Sequence, residues 1–142
     1  MANSFQCEIV SAEQSLFSGE INQLVVTGVM GELGILAGHT PLLTELQPGP
    51  LRVIREGDEE EIYYVTGGFI EVQPNIVSVL ADTATRAHDI DEASAEEARK
   101  EALRSINEQK SDLDYSRATA ELAEAVAQLR TLEKLRQKGG RR

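Results

Sequence analysis

The sequence predicts two units, an antiparallel β-sandwich or barrel over residues 1–88 followed by a two-helix antiparallel hairpin over residues 89–142. The first unit contains 16 of the chain's 19 Val and Ile residues, 9 of its 11 Gly and all four Pro. The second contains no Pro, three Val or Ile residues and nine Ala. Because β-branched residues with Gly and Pro favour strands and turns, whereas Ala, Leu, Glu, Lys and Arg favour helix, the shift predicts this division.

Six strands are expected in the first unit. Alternate residues of 5–9 are apolar, which is the pattern of a half-buried strand. Gly57-Asp58-Glu59 separates two apolar runs and predicts a hairpin turn, and Gly67-Gly68 and Pro74-Asn75 predict the two turns that follow. Short strands without intervening helices are typical of a sandwich or barrel. The expected strands lie at about 4–12, 21–27, 51–56, 60–66, 68–73 and 75–81.

Two helices are expected in the second unit. Asp89 or Asp91 is expected to cap the first, and Glu92 stands three residues after Asp89, as in a capping box. Asp112 or Asp114 is expected to cap the second. The predicted apolar stripes are Ala95, Ala98, Ala102 and Ile106 in the first helix and Tyr115, Ala118, Leu122, Ala125, Val126, Leu129 and Leu132 in the second.

Both stripes are rich in alanine. At about 25 cal/mol per Å² of buried apolar surface, an alanine contributes far less than a leucine. We therefore expect the hairpin to be marginally stable alone and able to open or to dock elsewhere, with a stable, immobile hairpin as the alternative.

Composition and charge exclude several classes of protein. Asp and Glu number 24 against 14 Lys and Arg, and this net charge of −10 argues against nucleic acid as a partner, because duplex binding rests on phosphate neutralisation. No stretch reaches the roughly 20 apolar residues of a membrane helix, and the N-terminus has no basic or apolar run, so neither membrane insertion nor a signal or transit peptide is expected. The single cysteine, Cys7, excludes an intramolecular disulfide and is expected to be a small core residue.

The C-terminal segment has the opposite charge. From Arg130 onward six basic residues stand against Glu133 alone, so this segment carries +5 and the preceding 129 residues carry −15. A cationic helix end on an acidic body favours an acidic partner surface. Favourable interaction with the helix C-terminus, about 0.3–1 kcal/mol for each cation, explains only one or two of the six.

Catalytic chemistry has little support in the sequence. His39 and His88 are the only histidines, and neither has a Cys or a second His at metal-ligand spacing. Glu59-Glu60-Glu61 lies at a predicted turn and is interpreted as a solvated charge cluster rather than as paired catalytic carboxylates. No Gly-x-Ser-x-Gly, Walker A or Rossmann motif occurs, so no catalytic residue, metal ligand or cofactor is expected.

One segment of the first unit is unusually rich in glycine. Residues 28–43 contain four Gly, one Pro and Glu32 as the only Asp, Glu, Lys or Arg, with apolar residues between them. Two interpretations remain open, a contact loop at which a partner docks and a buried loop that closes the sandwich.

Nine short motifs follow one another along the chain: Ser11-Ala12-Glu13-Gln14, Leu16-Phe17-Ser18-Gly19, Val26-Thr27-Gly28, Gly31-Glu32-Leu33-Gly34-Ile35, Gly38-His39-Thr40-Pro41-Leu42-Leu43, Gly67-Gly68-Phe69-Ile70-Glu71-Val72, Val79-Leu80-Ala81-Asp82-Thr83-Ala84, Asp112-Leu113-Asp114-Tyr115 and Ala120-Glu121-Leu122-Ala123. In order and separation they closely resemble the epsilon subunits of bacterial F-type ATP synthases, over essentially the whole chain. The family's fold, a β-sandwich followed by a two-helix hairpin, agrees with the division reached from composition.

The resemblance implies a non-catalytic rotor subunit. In this family the sandwich joins the gamma subunit of the central stalk and rests on the ring of c subunits, and it helps to transmit rotation between proton translocation and nucleotide chemistry. Gly31 and Glu32 match the family's contact with the c ring, and His39 and Thr44 fall in the segment near gamma and the ring. The implied location is peripheral, on the cytoplasmic face of the bacterial inner membrane.

The hairpin resembles the family's regulatory element. Folded against the sandwich it permits activity, and extended along gamma into the catalytic head of alpha and beta subunits it restrains ATP hydrolysis. Arg130, Lys134 and Arg136 are then expected to face acidic segments of the catalytic subunits.

One family feature is degenerate in this chain. Some members bind ATP in the folded hairpin through an Ile/Leu-Asp-x-x-Arg-Ala motif, which Ile90 and Asp91 match, but Ser94 stands at the arginine position. Because the missing cation removes a phosphate-pairing group, and Glu97 and Glu101 add negative charge, no physiological ATP binding is expected.

Two other classes of function remain as alternatives. A free-standing binding module would recognise a small ligand or carbohydrate with its sandwich, although the absence of Trp and an aromatic content of 4% argue against sugar stacking. A small hydrolase would use Glu32 and His39, and it rests only on their proximity in the sequence.

Overall fold

Ten strands are followed by two long helices in the computed structural model, which describes residues 3–108 and 111–139. The strands are β1 Phe5–Ser11, β2 Ser15–Ile21, β3 Gln23–Gly28, β4 Gly31–Leu36, β5 Leu42–Leu46, β6 Gly49–Ile54, β7 Glu60–Val65, β8 Gly68–Val72, β9 Ile76–Ala81 and β10 Ala84–Arg86. The helices are α1 Glu92–Asn107 and α2 Asp112–Gly139, and short 3-10 turns occupy Glu56–Asp58 and Ala87–Asp89.

The strands form one continuous sheet that folds back on itself as a sandwich. Their order is β10-β7-β6-β3-β5-β8-β9-β1-β2. The remaining strand, β4, is outside this linear order and pairs with β3. The prediction of a sandwich followed by two helices is confirmed, with one departure from an antiparallel sheet, since β1 pairs with β9 in parallel. No tight turn connects these two strands, so their relative direction is free of the constraint that a hairpin imposes.

Arg86 joins the two ends of this strand order. From β10 its guanidinium donates to the carbonyl oxygen of Leu16 on β2 (3.4 Å) and to the hydroxyl of Tyr63 on β7 (3.0 Å). It also pairs with Glu61 at 3.4 Å and lies over the Tyr63 ring, 5.2 Å from its centroid. One side chain therefore links the edge strands β2 and β10, which the sheet's own ladder leaves apart.

Nine strands contribute inward-facing residues to one hydrophobic core. In β1 every second residue from Phe5 to Ile9 is buried, as the alternation predicts. The core residues with essentially no exposed surface are Cys7, Ile9, Ile21, Leu24, Val26, Ile35, Leu51, Val53, Tyr63, Ile70 and Val79.

Strand β7 is buried on both of its faces. Tyr63 and Val65 belong to the core cluster, whereas Ile62 and Tyr64 are buried without belonging to it. Helix α2 lies against β6 and β7 and supplies the cover on this second side. The hairpin is thus docked on the outer face of the sandwich in this structure.

The predicted apolar stripe of α2 lies towards α1. Arg136, which continues this stripe at a four-residue step from Leu132, forms an ion pair with Glu92 at the start of α1. Along the two stripes Ala95, Ala102, Ala118, Ala125 and Leu132 are buried, Ile106, Leu122 and Leu129 are half-buried, and Ala98, Tyr115 and Val126 are exposed.

A second buried stripe of α2, which is not among the stripes expected from the sequence, lies towards the sheet. Ala127 and Thr131 are buried, and Lys138, seven residues further on, donates to the main-chain carbonyl of Glu60 on β7. The Thr131 hydroxyl donates to the carbonyl of Ala127 (2.8 Å), which satisfies the buried polar group within the helix. Because this stripe consists of a small residue and a hydroxyl, hydropathy alone gives little sign of it.

Four strands, β2, β4, β5 and β10, were absent from the prediction. β2 and β4 contain Gly, β5 has a single β-branched residue, Thr44, and β10 has only three residues. Each therefore lacks the β-branched run that identifies the other strands. The hairpin turn predicted at 57–59 does join β6 to β7, which pair from Gly49↔Val65 to Ile54↔Glu60.

The cap of α2 differs from the prediction of Asp112 or Asp114. The hydroxyl of Ser111 accepts a hydrogen bond from the backbone amide of Asp114 (3.1 Å). An N-cap side chain makes this contact with the third residue of its helix, so Ser111 is the N-cap of α2. Both aspartates lie in the first turn, where negative charge is favoured by the positive end of the helix dipole.

We expect Gly68→Ala to unfold the sandwich at much lower urea concentration. Gly68 has φ +130°, and a Cβ there would overlap the carbonyl oxygen of Leu80 in the paired strand β9. Strain and backbone displacement together are expected to cost about 3 kcal/mol or more. Gly57→Ala is the matched control, since its φ is +79° but no atom lies near the added methyl, and we expect a loss of about 1 kcal/mol. Equal losses in the two variants would contradict the close approach.

We expect the Cys7 thiol to resist alkylation at pH 8 until the chain unfolds. Burial, and then the charge of Glu8, raises its pKa from 9.0 to about 12, so the folded thiol stays protonated. The unfolded thiol ionises from about pH 9. The free energy of unfolding should therefore fall between pH 9 and 12, by up to about 1.4 kcal/mol per pH unit from this group. Cys7→Ala should lack this component, and rapid alkylation of the native chain would refute the assignment to the core.

Candidate interaction surfaces

The glycine-rich segment at residues 28–43 is mostly a β-hairpin and its continuation, so the interpretation of this segment as a loop is wrong for Gly31–Leu36, which form β4. β4 pairs with β3 from Gln23↔Leu36 to Gly28↔Gly31, and the turn between them consists of Val29 and Met30. Its sequence, Gly28-Val29-Met30-Gly31, permits a tight turn because Gly31 adopts φ +122°.

The tip of this hairpin is an exposed apolar projection. Met30 is 94% exposed and Val29 is also exposed, while Glu32 stands exposed beside them opposite Thr27. An unbranched thioether with full freedom can adapt to an irregular partner surface. We define the hairpin tip as residues 29–32.

His39 and Thr44 lie away from the hairpin tip along the chain. His39 is half-buried in the connection from β4 to β5, and its Nδ1–H donates to the carbonyl of Thr40 (2.7 Å). Thr44 is half-buried in β5, opposite Ile70.

Glu32 and His39 do not form a catalytic pair. Glu32 lies near the beginning of β4 and His39 follows its end, so the extended strand of about 3.3 Å per residue separates them by about 13 Å. A general acid or base needs hydrogen-bond reach of the group it serves. The hydrolase alternative therefore has no geometric basis.

An exposed apolar patch crosses the outer face of β5, β8 and β9. Phe69 is opposite Leu80 in the sheet, and both are about half exposed, at 50% and 54%. Leu43 on β5 has the same orientation and is 68% exposed. We call Leu43, Phe69 and Leu80 the outer patch. The patch was not among the expectations from the sequence, although the alternation of β8, with Phe69 between buried Gly68 and Ile70, indicates that Phe69 points outward.

The docked hairpin covers Tyr64 on the opposite side of the molecule. Tyr64 is 3% exposed, and its hydroxyl has no hydrogen-bond partner among the described residues. Burial, and then the negative charge of Glu124 on α2, raises the pKa of Tyr64 to about 12, so the hydroxyl is neutral at physiological pH.

The basic end of α2 is partly engaged in the docked hairpin. Arg136 pairs with Glu92 of α1, and Lys138 contacts the carbonyl of Glu60 on β7. Arg130 is exposed and Lys134 half-buried, and neither forms an ion pair with a described residue.

The glutamates at 59–61 form ion pairs, so the interpretation as a solvated cluster is wrong for two of the three. The Glu60 carboxylate is 8% exposed and pairs with Arg52, and Glu61 pairs with Arg55 at 3.3 Å. Glu59 alone is largely exposed. The pairing partners come from β6 and its end and, for Glu61, also from Arg86 on β10, which a local charge pattern does not indicate.

The degenerate nucleotide motif serves as the start of α1. The Asp91 carboxylate accepts from the backbone amide of Ser94 (3.1 Å), so Asp91 is the N-cap. Ile90 donates its amide to the carbonyl of Ala87. Asp89 lies in the preceding 3-10 turn, so the capping box proposed for it with Glu92 does not form.

Two further features bear on cofactors and membranes. In the described part of the chain, no three His, Cys, Asp or Glu side chains lie together in a way that could hold a metal ion. Within residues 3–108 and 111–139, neither helix combines the length and apolar character that a bilayer-spanning segment needs.

Comparison with known proteins identifies relatives along almost the whole chain. A family model described as "ATP synthase, Delta/Epsilon chain, beta-sandwich domain" matches residues 4–87, and one described as "ATP synthase, Delta/Epsilon chain, long alpha-helix domain" matches residues 88–133. The ATP synthase epsilon chain of Chromohalobacter salexigens is 72% identical over 139 residues, which cover 98% of this chain and 99% of that relative.

Solved structures share the fold at low identity. A chain in the mitochondrial ATP synthase of Euglena gracilis superposes with a TM-score of 0.77 at 21% identity, covering 97% of this chain and 82% of that one. A chain in the central stalk and c-ring structure of the Tetrahymena thermophila mitochondrial ATP synthase gives a TM-score of 0.61 at 12% identity, covering 90% and 96%. Since both family models and the 72% identical relative agree with the resemblance found in the motifs, this chain belongs to the epsilon chain family of ATP synthases and is a non-catalytic subunit.

Proposed function

We propose that this chain is a central-stalk rotor subunit of a proton-translocating F-type ATP synthase. Its sandwich couples rotation between the c ring and the catalytic head through gamma, and its C-terminal helices inhibit ATP hydrolysis. The observation that carries the proposal is the match of both family models, in order, to a chain whose second unit is docked on the first through small residues. The functional division at residue 88 is part of the proposal.

Gamma binds the outer patch in this proposal. Leu43, Phe69 and Leu80 are exposed on one face of the sheet, where Phe69 is opposite Leu80 and Leu43 is diagonal to Phe69. Glu45 and Glu71 stand beside them in the register. An aromatic side chain amid exposed aliphatic ones is a frequent source of binding energy at protein interfaces. The hairpin leaves this face open because it docks on β6 and β7.

The c ring contacts the hairpin tip. Gly31 lets the chain turn there, Glu32 offers a carboxylate to a basic group of the ring, and Met30 supplies apolar area. An exposed ion pair contributes only about 0.2–1 kcal/mol, so the apolar contact and the attachment to gamma supply most of the affinity. His39 and Thr44 complete the segment near gamma and the ring.

The helical hairpin is the brake on ATP hydrolysis. In the docked position it is away from any partner, and in an extended position along gamma it brings Arg130, Lys134 and Arg136 to acidic segments of alpha and beta. The net charge of +5 from Arg130 onward supports this choice of partner. ATP binding to Ile90, Asp91 and Ser94 has no part in the proposal, because Ser94 offers no cation for a phosphate.

The proposed location is the cytoplasmic face of the bacterial inner membrane. The chain is held there as a peripheral protein by gamma and the c ring, without inserting into the bilayer and without nucleic acid as a partner. The binding-module alternative has no separate observation in its favour.

We expect Phe69→Ser combined with Leu80→Ser to weaken assembly with gamma. Loss of the apolar contact should raise the Kd for purified gamma about tenfold or more, measured by titration calorimetry. Leu113→Ser is the matched control, since Leu113 is exposed at the start of α2 and outside the outer patch, and its Kd should be unchanged. Unaltered binding by the double variant would remove the patch from the interface.

We expect replacement of Arg130, Lys134 and Arg136 by Gln to relieve inhibition of ATP hydrolysis in the reconstituted complex. The three changes are made in a Glu92→Gln chain and compared with that chain, so that the ion pair of Arg136 with Glu92 is absent from both. Three exposed pairs of about 0.2–1 kcal/mol each total about 0.6–3 kcal/mol, so the rate should rise about threefold or more, up to the fully released rate. The complex containing the chain truncated after residue 88 gives the fully released rate.

The control for this experiment is Lys100→Gln, an exposed cation on α1. It should leave the hydrolysis rate unchanged. If the triple variant hydrolyses ATP at the same rate as the Glu92→Gln chain while the truncated chain is faster, the brake acts without these charges. If truncation itself has no effect, the hairpin is not a brake.

A further inference from the structure

The interface between the hairpin and the sandwich contains an unpartnered polar atom. Tyr63 and Tyr64 are consecutive on β7, and their rings point to opposite faces of the sheet. The hydroxyl of Tyr63 accepts from Arg86 at 3.0 Å. The hydroxyl of Tyr64 is equally buried but has no partner among the described residues.

Helix α2 is the element that takes the Tyr64 hydroxyl out of water. Tyr64 is outside the core cluster, α2 is packed on β6 and β7, and the charge of Glu124 on α2 acts on this hydroxyl. If the hairpin leaves, the hydroxyl regains hydrogen bonds to water. A buried polar group without a partner disfavours the state that buries it, so Tyr64 opposes docking.

Polar contacts at the end of α2 act in the other direction. Arg136 pairs with Glu92, and Lys138 contacts the carbonyl of Glu60, so the last turn of α2 is tied both to α1 and to β7. We call these contacts the end clasp. The Arg136 and Glu92 side chains are 65% and 51% exposed, so water and salt weaken their attraction.

We propose that the closed and docked hairpin is held metastable by two opposing devices. The end clasp, which ties α2 to α1 and to β7, favours this state, and the buried Tyr64 hydroxyl disfavours it. Docking is therefore adjustable in both directions by single substitutions. Its consequence for ATP hydrolysis rests on the proposed function of the hairpin as a brake, whereas the docking equilibrium itself does not.

Hydrogen exchange of α2 amides in the isolated full-length chain tests the two devices separately. The exchange rate of segments within 118–132 reports how often α2 leaves the sheet and opens. Tyr64→Phe removes the unpartnered hydroxyl and keeps the ring, so exchange should slow at least about fivefold. Glu92→Gln removes the contact of the end clasp with α1, so α2 should open more often and its exchange should accelerate about two- to fivefold. The difference from the native chain should shrink at 1 M salt.

Each variant has a matched control. Tyr63→Phe makes the same chemical change one residue away, but it removes a satisfied hydrogen bond inside the sandwich, so it should not slow exchange of α2. Glu97→Gln neutralises an exposed carboxylate of α1 that forms no ion pair with a described residue, and it should leave exchange unchanged. Unchanged or faster exchange in Tyr64→Phe, or unchanged exchange in Glu92→Gln, would overturn the proposal.

ATP hydrolysis by the reconstituted complex then separates this proposal from the proposed function. Tyr64→Phe should raise hydrolysis and Glu92→Gln should lower it, because tighter docking withholds the brake. If exchange shifts as expected in both variants but hydrolysis does not change, the two devices are established and the hairpin's role as a brake fails. If exchange does not shift, the devices are refuted whatever the hydrolysis rate.

Discussion

Burial of β7 on both faces is the constraint on which the rest of the structure depends. The run Ile62-Tyr63-Tyr64-Val65 has no exposed member, because one side of the strand completes the sandwich core and the other lies under α2. Strands of a sandwich ordinarily alternate between a buried and a solvated face. A hairpin that leaves this surface therefore exposes Ile62 and Tyr64 to water, so the second unit is coupled energetically to the first.

The chemistry of the covering helix keeps that coupling small. The stripe of α2 on the sheet is built from Ala127 and Thr131, and the stripe on α1 from Ala118 and Ala125 with Leu132. Small side chains allow close packing but bury little apolar area, at about 25 cal/mol per Å². Moving a two-state element from 1:99 to 99:1 requires about 5.5 kcal/mol of differential affinity. A weakly held hairpin is within reach of such a shift, whereas a leucine-packed one would need a far stronger partner.

The division into strands and helices can be predicted from the sequence, whereas the contacts between neighbouring strands and between the helix and the sheet cannot. Composition locates the change near residue 88 because strand and helix draw on different residue types. Gly31 and Gly34 lower the strand propensity of β4 and favour a loop there, but pairing with β3 outweighs that preference. The ion pair of Glu60 with Arg52 and the sheet-facing stripe through Thr131 depend on neighbours distant in the chain, so no local pattern specifies them. The outer patch is different, because the alternation of residues in β8 is enough to predict that Phe69 points outward.

The cations at the basic end of α2 differ in how much binding energy they can offer a partner. Six cations from Arg130 onward appear in the sequence as one charged block, but the docked structure divides them. Arg136 and Lys138 already have oxygen partners within the chain, and exchanging one partner for another yields little net free energy. Arg130 and Lys134 lack ion pairs with described residues. An ion pair that either forms with a partner therefore adds its whole free energy to binding, because none is broken first. Charge alone at about 0.2–1 kcal/mol per exposed pair falls short of 5.5 kcal/mol. The remainder must come from apolar contacts made by Leu122, Leu129 and Leu132, which the docked hairpin satisfies only in part because the first two are half-buried.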